Sequence, residues 1–123
     1  MPRLASVTEA EPFDISTATP DTGLTLVRVR GELDQATSPA VEEALEQAPP
    51  GEVVVLDLTE CSFIDSSAIR VLLTGATHAE SSGGSLSLVV PGPGVLRALE
   101  IASVGERIPI HSSVDAATAG TAG

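Results

Sequence analysis

Asp65-Ser66-Ser67 is the stretch of this chain best suited to chemistry. A serine hydroxyl can attack as a nucleophile when a base stands beside it, or it can accept a group that a partner enzyme transfers. The chain's own bases are few. Its two histidines, His78 and His111, are not placed by sequence beside a serine, and both read as surface or cap residues. A hydrolase elbow requires Gly-x-Ser-x-Gly, and Ile64-Asp65-Ser66-Ser67-Ala68 lacks both glycines. A phosphate-cradling Gly-x-x-x-x-Gly-Lys needs a lysine, and the chain has none. Cys61, the single cysteine, cannot form an intramolecular disulfide and has no ligand cluster around it. It reads as a small buried hydrophobe.

The elements on either side place the serines. Val53-Val54-Val55-Leu56 is a solid apolar run and continues through Asp57-Leu58. A short, β-branched, unalternated run predicts a strand covered on both faces, as in sheets built with crossover helices. Thr59 to Ser62 reads as a turn. From Ala68 the apolar spacing becomes that of a helix face, Ile69, Leu72, Leu73 and Ala76, with Asp65 where an N-cap belongs and an end near Ser81. Two hydroxyls therefore stand at the first turn of a helix, just past a buried strand. That region of open α/β sheets hosts ligands and chemistry. The local pattern admits two readings: an N-cap followed by ordinary first-turn serines, or a phosphorylation switch. A phosphoserine adds about −1.5 to −2 charges and three acceptor oxygens. The free amides and positive dipole end of a helix N-terminus tolerate it, whereas a docked partner need not.

The rest of the chain supplies a scaffold. Phe13 to Ile15 reads as a first strand, Thr19 to Gly23 as a hairpin loop, and Leu24 to Arg30 as a second strand. In the second strand Val27 and Val29 alternate with Arg28 and Arg30, giving one covered and one wet face. Gly31-Glu32-Leu33-Asp34 ends it. Ser38 as N-cap with Pro39 at N1 opens a helix carrying Val41, Ala44, Leu45 and Ala48, stopped by Pro49-Pro50-Gly51. After Ser82-Gly83-Gly84 come a half-covered strand from Ser85 to Val90, a Pro91–Gly94 turn and a helix with Val95, Ala98, Leu99 and Ala102. A short strand at Ile108–Ile110 follows, then a capping-box-like pair, Ser112 and Asp115. Alternating strands and helices imply a parallel or mixed sheet. One domain is expected over residues 12–118, with disordered ends at 1–11 and 119–123.

Bulk properties narrow the function classes. With 123 residues and 42% apolar content the chain can bury a core. A net charge of −11 disfavours nucleic acid and anionic membranes and would steer in a basic partner, although acidity also simply aids solubility. No run of about eighteen apolar residues exists, and the first residues lack an apolar signal core, so a cytoplasmic location is expected.

Read together, these segments resemble the STAS-domain anti-sigma-factor antagonists of bacteria. The resemblance rests on Gly31-Glu32-Leu33-Asp34, on Val55-Leu56-Asp57-Leu58 followed by Phe63-Ile64-Asp65-Ser66-Ser67, on Leu86 to Pro91 with Val95 to Leu99, and on Ser112 to Ala117. It covers roughly Leu24 to Ala117. It implies an α/β fold: a single STAS-type domain with a mixed, mostly parallel sheet of about five strands and about four helices. It also implies a non-enzymatic role. The unphosphorylated protein binds an anti-sigma factor that is also a serine kinase, and so frees a sigma factor. The kinase uses ATP to phosphorylate the antagonist, which then releases, and a PP2C-type phosphatase resets it. No cofactor is required beyond the kinase's ATP, and the free protein is expected to be a monomer. The resemblance makes Ser66 the acceptor, with Asp34, Asp65 and Ser67 beside it on the partner-facing surface. Many members carry glycine after the serine pair; this chain has Ala68, which favours helix. Two other readings compete: a STAS scaffold module within a larger signalling assembly, and a hydrolase using Ser66 or Ser67.

Overall fold

A computed structural model describes residues 12–90 and 92–119. The expected ends at 1–11 and 120–123 lie outside the described residues, while Ala119 closes the last helix. Five strands form one sheet in the order β1-β2-β3-β4-β5: β1 is Asp14–Asp21, β2 Leu24–Leu33, β3 Val53–Ile64, β4 Ser85–Val89 and β5 Ile110–His111. β1 runs antiparallel to β2, and the remaining neighbours are parallel. Four helices connect or follow them: α1 Ser38–Gln47, α2 Ser66–Ser81, α3 Pro93–Ile101 and α4 Val114–Ala119, with a short 3-10 turn at Val104–Glu106. The sheet is mixed and mostly parallel, as the alternation of elements requires.

Side-chain alternation along the strands builds two apolar layers. On one face Val27, Val29, Val54, Leu56, Leu58, Leu86 and Leu88 meet Val41 and Leu45 of α1, Ala68, Leu72 and Ala76 of α2, and Val95 and Leu99 of α3. The α2 residues recur at i, i+4, i+8, one stripe of a helix, with Ile69 and Leu73 half-buried beside it. On the opposite face Leu24, Leu26, Val55 and Val89 pack against Ala117 of α4. Covering by α4 is partial. Arg28 and Arg30 emerge beyond it, so β2 alternates between covered and wet residues only from Val27 onward, while Leu24 to Val27 are buried on both faces.

Several boundaries differ from the sequence expectation for identifiable reasons. β1 extends to Asp21 rather than ending at Ile15. It is an edge strand exposed along most of its length, so it carries small and β-branched polar residues with no apolar period to read. An edge also tolerates Pro20, which has no N–H to donate. The turn shrinks to Thr22-Gly23, where Gly23 takes φ +79° and the Thr22 N–H donates to Asp21 Oδ1 at 2.9 Å. Thr37 stands at the N-cap position of α1 without a side-chain capping bond, so Ser38 is the first helical residue; the Ser38 hydroxyl donates to the Asp34 carbonyl at 2.6 Å. Ser113, not Ser112, caps α4, accepting the Ala116 N–H at 3.0 Å. Ile108 is fully buried but precedes β5, and Ala102 is exposed because α3 ends at Ile101.

The largest departure is in β3. Thr59 to Ser62 is strand, not turn. Two register shifts against β2 explain the misleading pattern: Arg28 pairs with Asp57 but Arg30 with Glu60, and Gly31 pairs with Cys61 but Glu32 with Phe63. Each inserts one extra residue into β3. The apolar rhythm breaks while the pairing continues.

Candidate functional site

β3 overshoots its neighbour. Its pairing with β4 stops at Asp57↔Val89, whereas its pairing with β2 continues to Leu33↔Ile64. The last turn of the chain before α2 is thus delivered by a two-stranded ribbon that projects past β4. Cys61 and Ile64 anchor the ribbon in the core; Thr59, Glu60, Ser62 and Phe63 are exposed. The Cys61 thiol donates to the Phe63 carbonyl at 3.2 Å. Burial pushes that thiol's pKa up, against the opposing pull of backbone hydrogen bonds at Phe63 and Leu33.

Asp65 follows directly. Its backbone is extended (φ −119°, ψ −175°), as an N-cap requires, and its Oδ1 accepts the Ala68 N–H at 3.1 Å. Its own N–H donates to the Leu33 carbonyl at 3.2 Å, which ties the start of α2 to the end of β2. Ser66 is the first helical residue and is exposed; Ser67 is half-buried. The Ala68 methyl is fully buried in the core. Alanine at this position therefore packs as part of the helix's inner stripe, in ordinary helical backbone.

Asp34 stands at the end of β2, beside Asp65 at the end of β3. One of its oxygens is committed: Oδ1 accepts the backbone N–H groups of Ala36 at 3.0 Å and Thr37 at 3.1 Å. The Thr37 hydroxyl accepts the Asp34 N–H at 2.9 Å and lies 2.9 Å from the Glu32 carbonyl, to which it donates. Asp34 is thus first a loop-folding residue. Its Oδ2, with no partner among the described residues, is the part available at the surface. The geometry brings Asp34, Asp65, Ser66 and Ser67 to one end of the sheet.

Phe63 was not singled out by sequence reasoning. It is 48% exposed, one of two large hydrophobics so displayed among the described residues, and lies three positions before Ser66. It sits opposite Glu32 in the β2–β3 register. The broken alternation in Thr59–Phe63 was the available signal. Thr37 was also missed; its three-residue spacing from Asp34, typical of side-chain-closed turns, could have revealed it.

The candidate general bases are not at the serines. His78 is twelve residues along α2 from Ser66, about 18 Å at the helical rise. His111 ends β5, two strands and about 10 Å across the sheet from β3. The described residues contain no cluster of three His, Cys, Asp or Glu side chains able to hold a metal ion. None of their helices is long and apolar enough to cross a membrane. A polar cleft of about 370 Å³ opens on the part of the sheet face that α4 leaves bare. In it Arg28 Nε pairs with Asp57 Oδ2 at 3.3 Å, and the nearly buried Asp57 also accepts the Thr59 N–H at 3.0 Å. Both bonds brace β3 where its first extra residue enters.

This arrangement has counterparts. The STAS domain profile matches residues 16–117. An anti-sigma F factor antagonist of Paenibacillus polymyxa is 32% identical over 94 residues, covering 74% of this chain and 80% of that protein. An anti-sigma-B factor antagonist of Listeria monocytogenes is 34% identical over 86 residues, covering 68% and 75%. Among solved structures, an anti-sigma factor antagonist from Mycobacterium paratuberculosis superposes with a TM-score of 0.76 at 25% identity, over 89% of this chain and 96% of the other. The matched span runs from β1 to α4 and includes every element that builds the Asp34–Ser67 site, and on that basis the chain belongs to the STAS domain family.

Proposed function

We propose that this protein is an anti-sigma-factor antagonist whose binding is switched by phosphorylation of Ser66. The observation that carries the reading is the position of Ser66: an exposed hydroxyl at the first turn of α2, beyond the projecting β2–β3 ribbon, with no histidine beside it. A hydroxyl so placed is open to an enzyme that brings its own base. The named antagonists among its relatives support the partner class.

In the proposed cycle the unphosphorylated protein docks its Asp34–Ser67 end on an anti-sigma factor that is also a serine kinase, and a sigma factor is released. The kinase then directs the Ser66 Oγ at the γ-phosphorus of ATP. The Oγ–P bond forms, the bond from the γ-phosphorus to the β,γ-bridging oxygen breaks, ADP leaves, and the Ser66 proton passes to a base of the kinase. The product carries about two further negative charges beside Asp34 and Asp65. Repulsion and lost fit at the interface need supply only about 2.8 kcal/mol to lower affinity a hundredfold. A PP2C-type phosphatase returns the serine. Ser67, half-buried, is the poorer acceptor by exposure.

The test uses purified protein with each anti-sigma factor of its own host, read by titration with and without ATP. Wild type should bind one of them and release on ATP addition. Ser66→Ala should bind as tightly and stay bound. Continued ATP-dependent release of that variant would overturn Ser66 as the switch.

A further inference from the structure

Arg70 lies one helical turn beyond Ser66, at the i, i+4 spacing that makes two side chains neighbours on a helix surface. Both are exposed. Side chains on a helix lean toward its N-terminus, so a long guanidinium at position 70 reaches back over the turn that Ser66 opens. Arg70 has no ion pair or side-chain hydrogen bond among the described residues, whereas Arg28 is held by Asp57 and Arg107 by Glu80. Arg30 and Arg97 also lack an ion pair among the described residues, so it is the spacing from Ser66 that sets Arg70 apart. The nearest acid on the same helix, Glu80, sits more than two turns away and is taken by Arg107. The carboxylates next to the serine do not serve Arg70: Asp65 Oδ1 caps the helix and Asp34 Oδ1 closes its own loop.

We infer that Arg70 is a clamp for the phosphate on Ser66, unpaired in the unphosphorylated protein and engaged once the group is added. The inference rests on the phosphorylation reading of Ser66 and adds to it a positioning residue. A guanidinium matches a phosphate with two parallel N–H···O bonds, a fit that a hydroxyl cannot provide. The clamp has two consequences. It offsets the repulsion that the new charge meets from Asp34 and Asp65, so the fold carries the phosphate without fraying α2. It also withdraws a cation from the docking surface at the moment of release.

The test needs no kinase. Phosphoserine is installed at position 66 during translation, and the phosphate is titrated by 31P NMR in otherwise wild-type protein and in the Arg70→Gln, Arg70→Lys and Arg97→Gln backgrounds. A neighbouring cation favours the dianion, so wild type should titrate lowest. Arg70→Gln should raise the second phosphate pKa by roughly half a unit, and Arg70→Lys should recover part of it. Arg97→Gln, at an exposed position of α3, should leave it unchanged. The α2 N-terminus is present in all four proteins, so the difference isolates Arg70. An Arg70→Gln phosphate titrating within about 0.1 unit of wild type would overturn the clamp. The separate finding that the phosphoprotein still binds its anti-sigma factor at full affinity would overturn the switch itself and leave the titration result standing.

Discussion

The two halves of β3 show how one strand serves two purposes. Val53–Leu58 pairs with β2 on one side and β4 on the other through Asp57, and nearly every residue in it is buried. Thr59–Ile64 has only β2 beside it, is interrupted by two extra residues, and buries only Cys61 and Ile64. The first half holds the domain together; the second carries the exposed Phe63 and hands the chain to Asp65 and Ser66. Projecting a ribbon beyond the sheet lets the site present polar and aromatic groups without interrupting the core. The same division predicts that substitutions in the first half change stability and those in the second change partner binding.

The two halves should differ most at Leu56, fully buried at the centre of the sheet. Leu56→Ala should cost about 2–5 kcal/mol in urea unfolding, by lost transfer energy and the cavity left behind. A cost under about 1 kcal/mol would place the stabilising core elsewhere. Cys61 marks the boundary inside the projecting half. Burial raises its pKa, so the folded protein holds less thiolate than the unfolded chain at any pH near or below the ordinary thiol range. Alkylation at pH 8 should therefore run at least about tenfold slower in native protein than in denatured protein, and equal rates would mean that the ribbon is not anchored through Cys61.

Smaller effects sharpen the contrast. Asp65→Ala removes the acceptor for the Ala68 N–H and should cost about 1 kcal/mol, read by thermal or denaturant unfolding. Asp65→Asn should recover most of it, because asparagine caps nearly as well. Phe63→Ala should change stability least, by about 0.5 kcal/mol, since half of the ring already faces solvent. A loss as large as that of Leu56→Ala would show Phe63 to be a core residue and would erase the distinction between the halves.

Much of this architecture was legible in the sequence because burial imposes a period. The apolar run at Val53–Leu58, the α2 stripe and the N-cap at Asp65 each follow from rules that act within a few residues. The alternation of elements then required a mostly parallel sheet. What was not legible depends on contacts between segments. β1 has no apolar rhythm because it lies at an edge, and the extra residues of β3 are recognisable only against the register of β2. At the site, the sequence placed Asp34, Asp65, Ser66 and Ser67 together by resemblance. It did not reveal that Asp34 folds its own loop through Thr37, nor that the Ala68 methyl is core packing. Phe63 reads as one more strand hydrophobe until the sheet shows that β4 stops short of it.

The most direct test of the central claim is intact-mass analysis of the protein from its native host, with peptide mapping of any phosphate. A single added phosphate on Ser66 is expected, present under conditions in which the sigma factor is held inactive and absent when it is released. Phosphate confined to Ser67, or none under any growth condition, would contradict the assignment of Ser66 as the switch.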